Sequence, residues 1–299
     1  MLLASSITPS GAVWAENAAR KTMSTAHVVD LGDFSEHPLV SEFAESFCVT
    51  GASRVSGDLS GAMASVRRTA MLLAAFDVAN ARVDPTIVVV DGSIPELVSD
   101  ACSFSALLQV SAAETPLAQR AKTMSDALAG GDVEWIVVTP PERAAMDSVT
   151  VQVAQGCALG LRVTGVVVAP MPRKRDGWPK KIRRSARGLV EQLQDRLFDI
   201  PVQRSRAGKV PVLPSRAARG IELRGARPLS LTISPEAASS SGSESDGGHV
   251  LSVTIPGLQY CDVEVGVWSQ DQSYPSTHIV VRLDGVIARI ELDSTLRRC

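Results

Sequence analysis

Few residues in this chain have the types and spacing that chemistry needs. Two aspartates, Asp30 and Asp91, each close an apolar, β-branched run, Ala-His-Val-Val-Asp and Thr-Ile-Val-Val-Val-Asp. An aspartate in that place commonly caps the loop or helix that follows. Ser, His and Asp all occur, but there is no G-x-S-x-G elbow, and His27, His37, His249 and His278 stand in unrelated contexts. A hydrolytic triad therefore has no support. Cys48, Cys102, Cys157, Cys261 and Cys299 are scattered, with no CxxC pair and no histidine cluster. This pattern argues against a structural zinc site or a disulfide framework, and no metal is expected. The thiols are expected to be reduced, in the cytoplasm or another reducing compartment such as a plastid stroma. Met63, Met71, Met124 and Met146 could line an adaptable groove, but their spacing reads as core filler.

The other feature with chemical content is charge. Residues 173–227 hold 16 Lys and Arg against 5 Asp and Glu, while the whole chain has a formal charge of −2. The remainder is correspondingly acidic, and such polarity points to an anionic partner or to a partner complementary to both halves. The candidate anion- or partner-binding residues are Arg173, Lys174, Arg175, Lys180, Lys181, Arg183, Arg184 and Arg187. Trp178 is the only aromatic among residues 173–187. Without a stacking platform, nucleic acid is not the expected partner. Acidic lipid, an acidic protein face, and a merely solvated helix face all remain open.

These residues must be positioned by a fold, and the hydrophobic pattern is that of an α/β protein. Trp135-Ile-Val-Val-Thr139 stops at Pro140-Pro141, and Val163-Thr-Gly-Val-Val-Val-Ala169 stops at Pro170, with a helical stretch over 142–161 between them. Strand, helix and strand in about forty residues make a βαβ unit, and near-continuous Val and Ile runs suit parallel strands covered on both faces. Further strands are predicted over 2–6, 26–31, 86–90 and 200–202. Helices are predicted over 12–23, 38–47, 59–81, 95–110, 116–128 and 179–198. In the last of these, Ile182, Ala186, Leu189, Val190, Leu193 and Leu197 form one apolar stripe, and Lys180, Lys181, Arg183, Arg184 and Arg187 lie largely off it.

After Arg204 the texture changes. Residues 206–227 read as a basic connector and 234–248 as a mobile, low-complexity loop. The periodicity then becomes two, with short strands over 250–255, 263–268, 278–283 and 286–292, and a fifth over 229–233. Asp284-Gly285 is a hairpin signal. The organisation predicted is an α/β domain over 1–205, the connector, and a small antiparallel β domain over 228–299 that packs on a neighbour. No apolar run approaches the roughly 20 residues of a membrane span. The mildly apolar start has no basic residue before Arg20 and reads as a strand rather than a signal peptide.

Three stretches resemble the ArsA/Get family of P-loop ATPases, which includes anion-pump and tail-anchored-protein targeting ATPases. They are Trp135-Ile-Val-Val-Thr-Pro-Pro-Glu142, Val163-Thr-Gly-Val-Val-Val-Ala-Pro170, and the C-terminal pair Val253-Thr-Ile-Pro-Gly257 and Ile290-Glu-Leu-Asp-Ser-Thr-Leu-Arg-Arg-Cys299. The C-terminal match is similar to members that carry an α-crystallin-like (small heat-shock) β domain. The resemblance implies a parallel P-loop-NTPase-like sheet flanked by helices, with a small C-terminal β-sandwich. It also implies that Asp30 and Asp91 fall where the family's magnesium- and water-positioning aspartates lie.

The departures are as informative. The family places a Gly-rich loop with Lys and Thr after its first strand, whose amides and lysine cradle phosphate. Here the equivalent stretch is Ile7-Thr8-Pro9-Ser10-Gly11, with one glycine, no lysine, and a proline that removes a donor. Lys21-Thr22 lies too close to the next strand to serve. Ala169 replaces the adenine-contacting Asn. The expectation is a non-hydrolysing binding or assembly subunit with no cofactor and no confident catalytic residue, Asp30 and Asp91 being relics. Its partner would be a protein, either a second copy, a P-loop-intact paralogue or a membrane-protein client. One alternative is an ATPase of that family with an atypical or missing P-loop, binding ATP and magnesium, the atypical site being formed by Ser10 and Gly11 with Lys21. Another is a polyanion-binding module built on 173–227.

Overall fold

A computed structural model describes residues 1–7, 15–16, 20, 25–50, 59–112, 114–130, 132–171, 174, 177–197, 200–205, 256–268 and 278–291. Ser10, Gly11, Lys21, Thr22, Arg173, Arg175, most of the predicted helix over 12–23, the connector 206–227, the loop 234–248, the strands over 229–233 and 250–255, and the last residues lie outside the described residues.

The predicted apolar runs become the strands of one sheet. These are β1 (Leu2–Ser6), β2 (His27–Asp30), β3 (Thr86–Asp91), β4 (Glu134–Thr139), β5 (Arg162–Val168) and β6 (Val202–Arg204). All pairings are parallel, in the order β2-β3-β1-β4-β5-β6. The helices are α1 (Pro38–Thr50), α2 (Leu59–Asn80), α3 (Ile94–Ala112), α4 (Pro116–Ala129), α5 (Arg143–Ala158) and α6 (Lys180–Leu197). The chain is thus an α/β protein with a six-stranded parallel sheet flanked by helices.

Right-handed crossovers explain which face each connection covers. From β2 onward each step moves the same way across the sheet, so α1 to α6 bury one shared core with Leu3, Val88, Val90, Trp135, Val137 and Val168. The step from β1 to β2 runs the other way. Accordingly Ala15, from that connection, packs with Leu2, Ala4, Ile87, Val89, Ile136 and Val138 on the opposite face. In β5, Val163 and Val166 share a face although three residues apart. A register shift opposite Trp135 and Ile136 absorbs the extra residue, as a β-bulge does.

Two expectations need adjustment. The predicted strand over 200–202 is shifted to Val202–Arg204. Ile200 is buried, Pro201 has no N–H to donate, and the Gln194 side chain holds both sides of this bend. Its Nε2 donates to the Ile200 carbonyl at 3.3 Å and its Oε1 accepts from Val202 N at 3.1 Å. In addition, the apolar stripe of α6 is covered only from Ala186 onward, because Ile182 is 42% exposed.

After β6 the described chain resumes at Pro256. A short 3-10 turn (Leu258–Tyr260) leads to β7 (Val263–Trp268), β8 (His278–Leu283) and β9 (Val286–Glu291), a three-stranded antiparallel sheet in the order β9-β8-β7. Asp284 and Gly285 make the tight turn, with φ of 45° and 87°. Two consecutive left-handed residues are what a two-residue hairpin loop of matching twist requires. This sheet sits on the helical layer. Leu283 and Val286 are buried in the same core as α3 and α5, and Gln155 Nε2 on α5 donates to the Leu283 carbonyl at 2.9 Å. Arg196 on α6 ion-pairs with Asp147 and stacks over the Tyr260 ring at 4.5 Å.

Candidate functional site at the carboxyl rim of the sheet

Because all six strands run parallel, Ser6, Asp30, Asp91, Thr139, Val168 and Arg204 end on one rim. In open α/β sheets ligands bind at this rim, where neighbouring strands send their connections in opposite directions. Here that point is the gap between β1, which leads toward β2, and β4, which leads toward β5. Its walls are Ser6 and Thr139. Ile7 N closes onto the Val138 carbonyl at 3.0 Å, and the Thr139 hydroxyl donates to the Pro140 carbonyl at 3.3 Å.

Asp30 and Asp91 are brought to the same rim, on adjacent strands, and both are exposed. Their surroundings differ. The Asp30 carboxylate accepts from Gly32 N at 2.7 Å and caps the 3-10 helix Leu31–Phe34, while Asp33 accepts from Asp30 N at 3.3 Å. This reciprocal pair is a capping box, so that carboxylate is engaged in holding its own loop. Asp91 leads instead into Gly92 (φ 105°) and Ser93, whose hydroxyl accepts from Glu96 N at 3.3 Å at the start of α3. No hydrogen bond or ion pair among the described residues engages the Asp91 carboxylate. No group of three or more His, Cys, Asp and Glu suited to a metal ion occurs among the described residues.

Arg68 is the rim residue that sequence reasoning missed. Its Nη2 is buried with no hydrogen-bond partner among the described residues, and a Cβ built on Gly92 would lie 3.4 Å from it. The signal available was Arg67-Arg68, an adjacent basic pair in a helix otherwise rich in Ala, Met and Leu. Arg67 turns the other way. It donates to the Ser35 carbonyl at 3.2 Å and lines a cleft of about 530 Å³ with His37, Ser41 and Met63, between α1 and α2. A second cleft of about 530 Å³ lies where the C-terminal sheet meets the helices, lined by Glu96, Asp147, Gln152, Arg196, Tyr260 and Asp284.

The basic candidates stand at the far end of the rim, since α6 follows β5 and runs back from it. Lys174, Lys180, Lys181, Arg184 and Arg187 are exposed, and no ion pair among the described residues holds them. Arg183 is half-buried, and its Nε donates to the Trp178 carbonyl at 3.2 Å. The rim is therefore acidic beside β2 and β3 and basic beside β5.

Cys157 and Cys261 are not poised as nucleophiles. Burial pushes the Cys157 thiol up to about 12. Burial, then the nearby Asp284 and Asp262 carboxylates, push Cys261 up to about 11. Both are protonated at neutral pH, whereas a reactive cysteine needs the thiolate. Of the four methionines read as core, Met124 and Met146 are buried, and Met63 and Met71 are partly buried against the core.

Fold and rim together define an α/β protein with a parallel sheet and an appended antiparallel sheet. No protein-family model matches the chain, and no curated protein matches it. Among the described residues, no helix is long and apolar enough to cross a membrane.

Proposed function

We propose that this chain is a non-hydrolysing binding or assembly subunit of the ArsA/Get kind, built on a P-loop-NTPase-like sheet with an α-crystallin-like C-terminal β domain. The observation that carries the reading is the state of Asp30. At the position where the resemblance asks for a carboxylate that positions magnesium or water, one carboxylate oxygen, Oδ1, accepts from the Gly32 amide and caps the following turn. The segment after β1 supports the same reading, because Ile7-Thr8-Pro9-Ser10-Gly11 offers no lysine and one fewer amide to a triphosphate. The partner is a protein, either a second copy, a paralogue with an intact phosphate loop, or a membrane-protein client. Calorimetric titration of the full chain with ATP and magnesium tests this: no saturable heat is expected, and micromolar binding overturns it.

A second reading is an ATPase with an atypical phosphate site that includes Ser10 and Gly11. Two observations favour it: the Asp91 carboxylate, which no described residue engages, and the buried Arg68 nitrogen, without a hydrogen-bond partner among the described residues, beside Gly92, the residue that follows Asp91. Under that reading Asp91→Asn abolishes magnesium-dependent phosphate release while ATP binding persists. Under the first reading there is no release to abolish.

A further inference from the structure

We propose that the leading turns of α6, with Trp178 just ahead of them, dock on an anionic lipid bilayer surface. This inference does not depend on whether the rim binds nucleotide. Its basis is a coincidence of charge and uncovered apolar surface at one end of one helix. Ala186, Val190, Leu193 and Leu197 bury the later turns of α6 against the body. The stripe runs on to Ile182, which is 42% exposed, and to Trp178 just ahead of the helix, which is 48% exposed. The first turns of α6 therefore overhang the core. Around them Lys174, Lys180, Lys181, Arg184 and Arg187 face solvent with no carboxylate paired to them among the described residues. The Arg183–Trp178 hydrogen bond at 3.2 Å ties the tryptophan's backbone to the first turn of the helix.

Charge complementarity calls for an anionic occupant, and the uncovered side chains select among anions. At 3.6 residues per turn Lys180, Lys181, Arg184 and Arg187 fall within an arc of about 120°, a single basic face that a layer of anionic headgroups can meet. Clusters of Lys and Arg on an amphipathic helix are the sequence-readable form of recognition of acidic lipid. Trp is at home at the headgroup level, where the indole is half solvated, and an aliphatic neighbour reaches slightly deeper. Nucleic acid would use stacked aromatics, and Trp178 is the only one in this region. With a net charge of −2 the molecule as a whole is not drawn to an anionic surface. Attraction is therefore local and strongly screened, within a Debye length of about 10 Å at 0.1 M salt.

The test is co-sedimentation of the full chain with phosphatidylcholine vesicles, with and without phosphatidylserine, in nucleotide-free buffer at low and physiological salt. Binding is expected only with phosphatidylserine and should fall steeply with salt. Each cation lost should weaken it about fivefold, so Lys180→Glu, Lys181→Glu, Arg184→Glu and Arg187→Glu together should reduce it by more than about a hundredfold. Circular dichroism should show those exposed substitutions leaving the fold intact. Trp178 emission should shift to the blue on binding, and Trp178→Phe should remove that shift. No binding at low salt, equal binding to neutral vesicles, indifference to the charge reversals, or tighter retention by RNA than by vesicles would each overturn the proposal.

Discussion

The side-chain amide of Gln155 donates to the main-chain carbonyl of Leu283, 2.9 Å away and 128 positions later in the chain. Both residues are buried. This bond joins the antiparallel C-terminal sheet to the helical layer of the parallel sheet, where a loosely tethered second domain could have been imagined. A buried carbonyl that loses its donor costs about 1–3 kcal/mol. Gln155→Leu keeps much of the volume and removes the donor, so it is expected to lower unfolding stability by about that amount in urea titration. A fully independent C-terminal unit would instead leave the main transition unmoved.

Gly156, the next residue on α5, lies flat against the indole of Trp135. A Cβ there would approach Trp135 Cζ3 to 2.6 Å and Cε3 to 3.0 Å. The indole is itself fixed by donation from Nε1 to the Ser5 hydroxyl at 2.9 Å, so it has little room to yield. Gly156→Ala is expected to destabilise by about 1–3 kcal/mol through overpacking, with a change in near-ultraviolet dichroism. Gly188 on α6 has nothing within 4 Å of the same added atom. Gly188→Ala should therefore stabilise, by about 0.5–1 kcal/mol, because only the helix preference acts there.

Burial raises the folded Cys157 thiol from 9.0 to about 12. Between these values the unfolded chain releases a proton that the folded chain retains. The unfolded state then binds fewer protons, so stability falls as pH rises through this window, by up to about 1.4 kcal/mol per pH unit. Below 9.0 the contribution is fully present. Denaturation midpoints measured from pH 8 upward should decline less steeply for Cys157→Ala than for the parent chain. The comparison rests on slopes, since the substitution also leaves a small cavity.

The Asp30 cap can be separated from any role for its charge. Asn caps as well as Asp does, and Ala does not. Asp30→Asn is expected to keep stability within a few tenths of a kcal/mol, while Asp30→Ala loses about 0.5–2 kcal/mol. Asp91→Ala, with no bond to lose among the described residues, should lie near zero. Thermal melts of the three variants decide this, and a large loss in Asp30→Asn would show that the negative charge itself matters.

Much of the parallel sheet was legible in the sequence because its signals are local. β-Branched runs bounded by proline became β3, β4 and β5 within a residue or two, Pro116 opened α4, and Asp284-Gly285 turned between β8 and β9. Asp30 and Asp91 were found at strand ends for the same reason, since a polar residue closing an apolar run has to emerge at the edge of the sheet. What could not be read depends on pairs distant in sequence. The strand order, the overhang that leaves Ile182 uncovered, the Gln155–Leu283 bond, the fit of Gly156 against Trp135, and the buried Arg68 nitrogen beside Gly92 all follow from which surfaces meet. Periodicity reports which side of an element is apolar, because that is a property of neighbouring residues. Only packing determines what covers that side, how far the cover extends, and which polar atoms it strands.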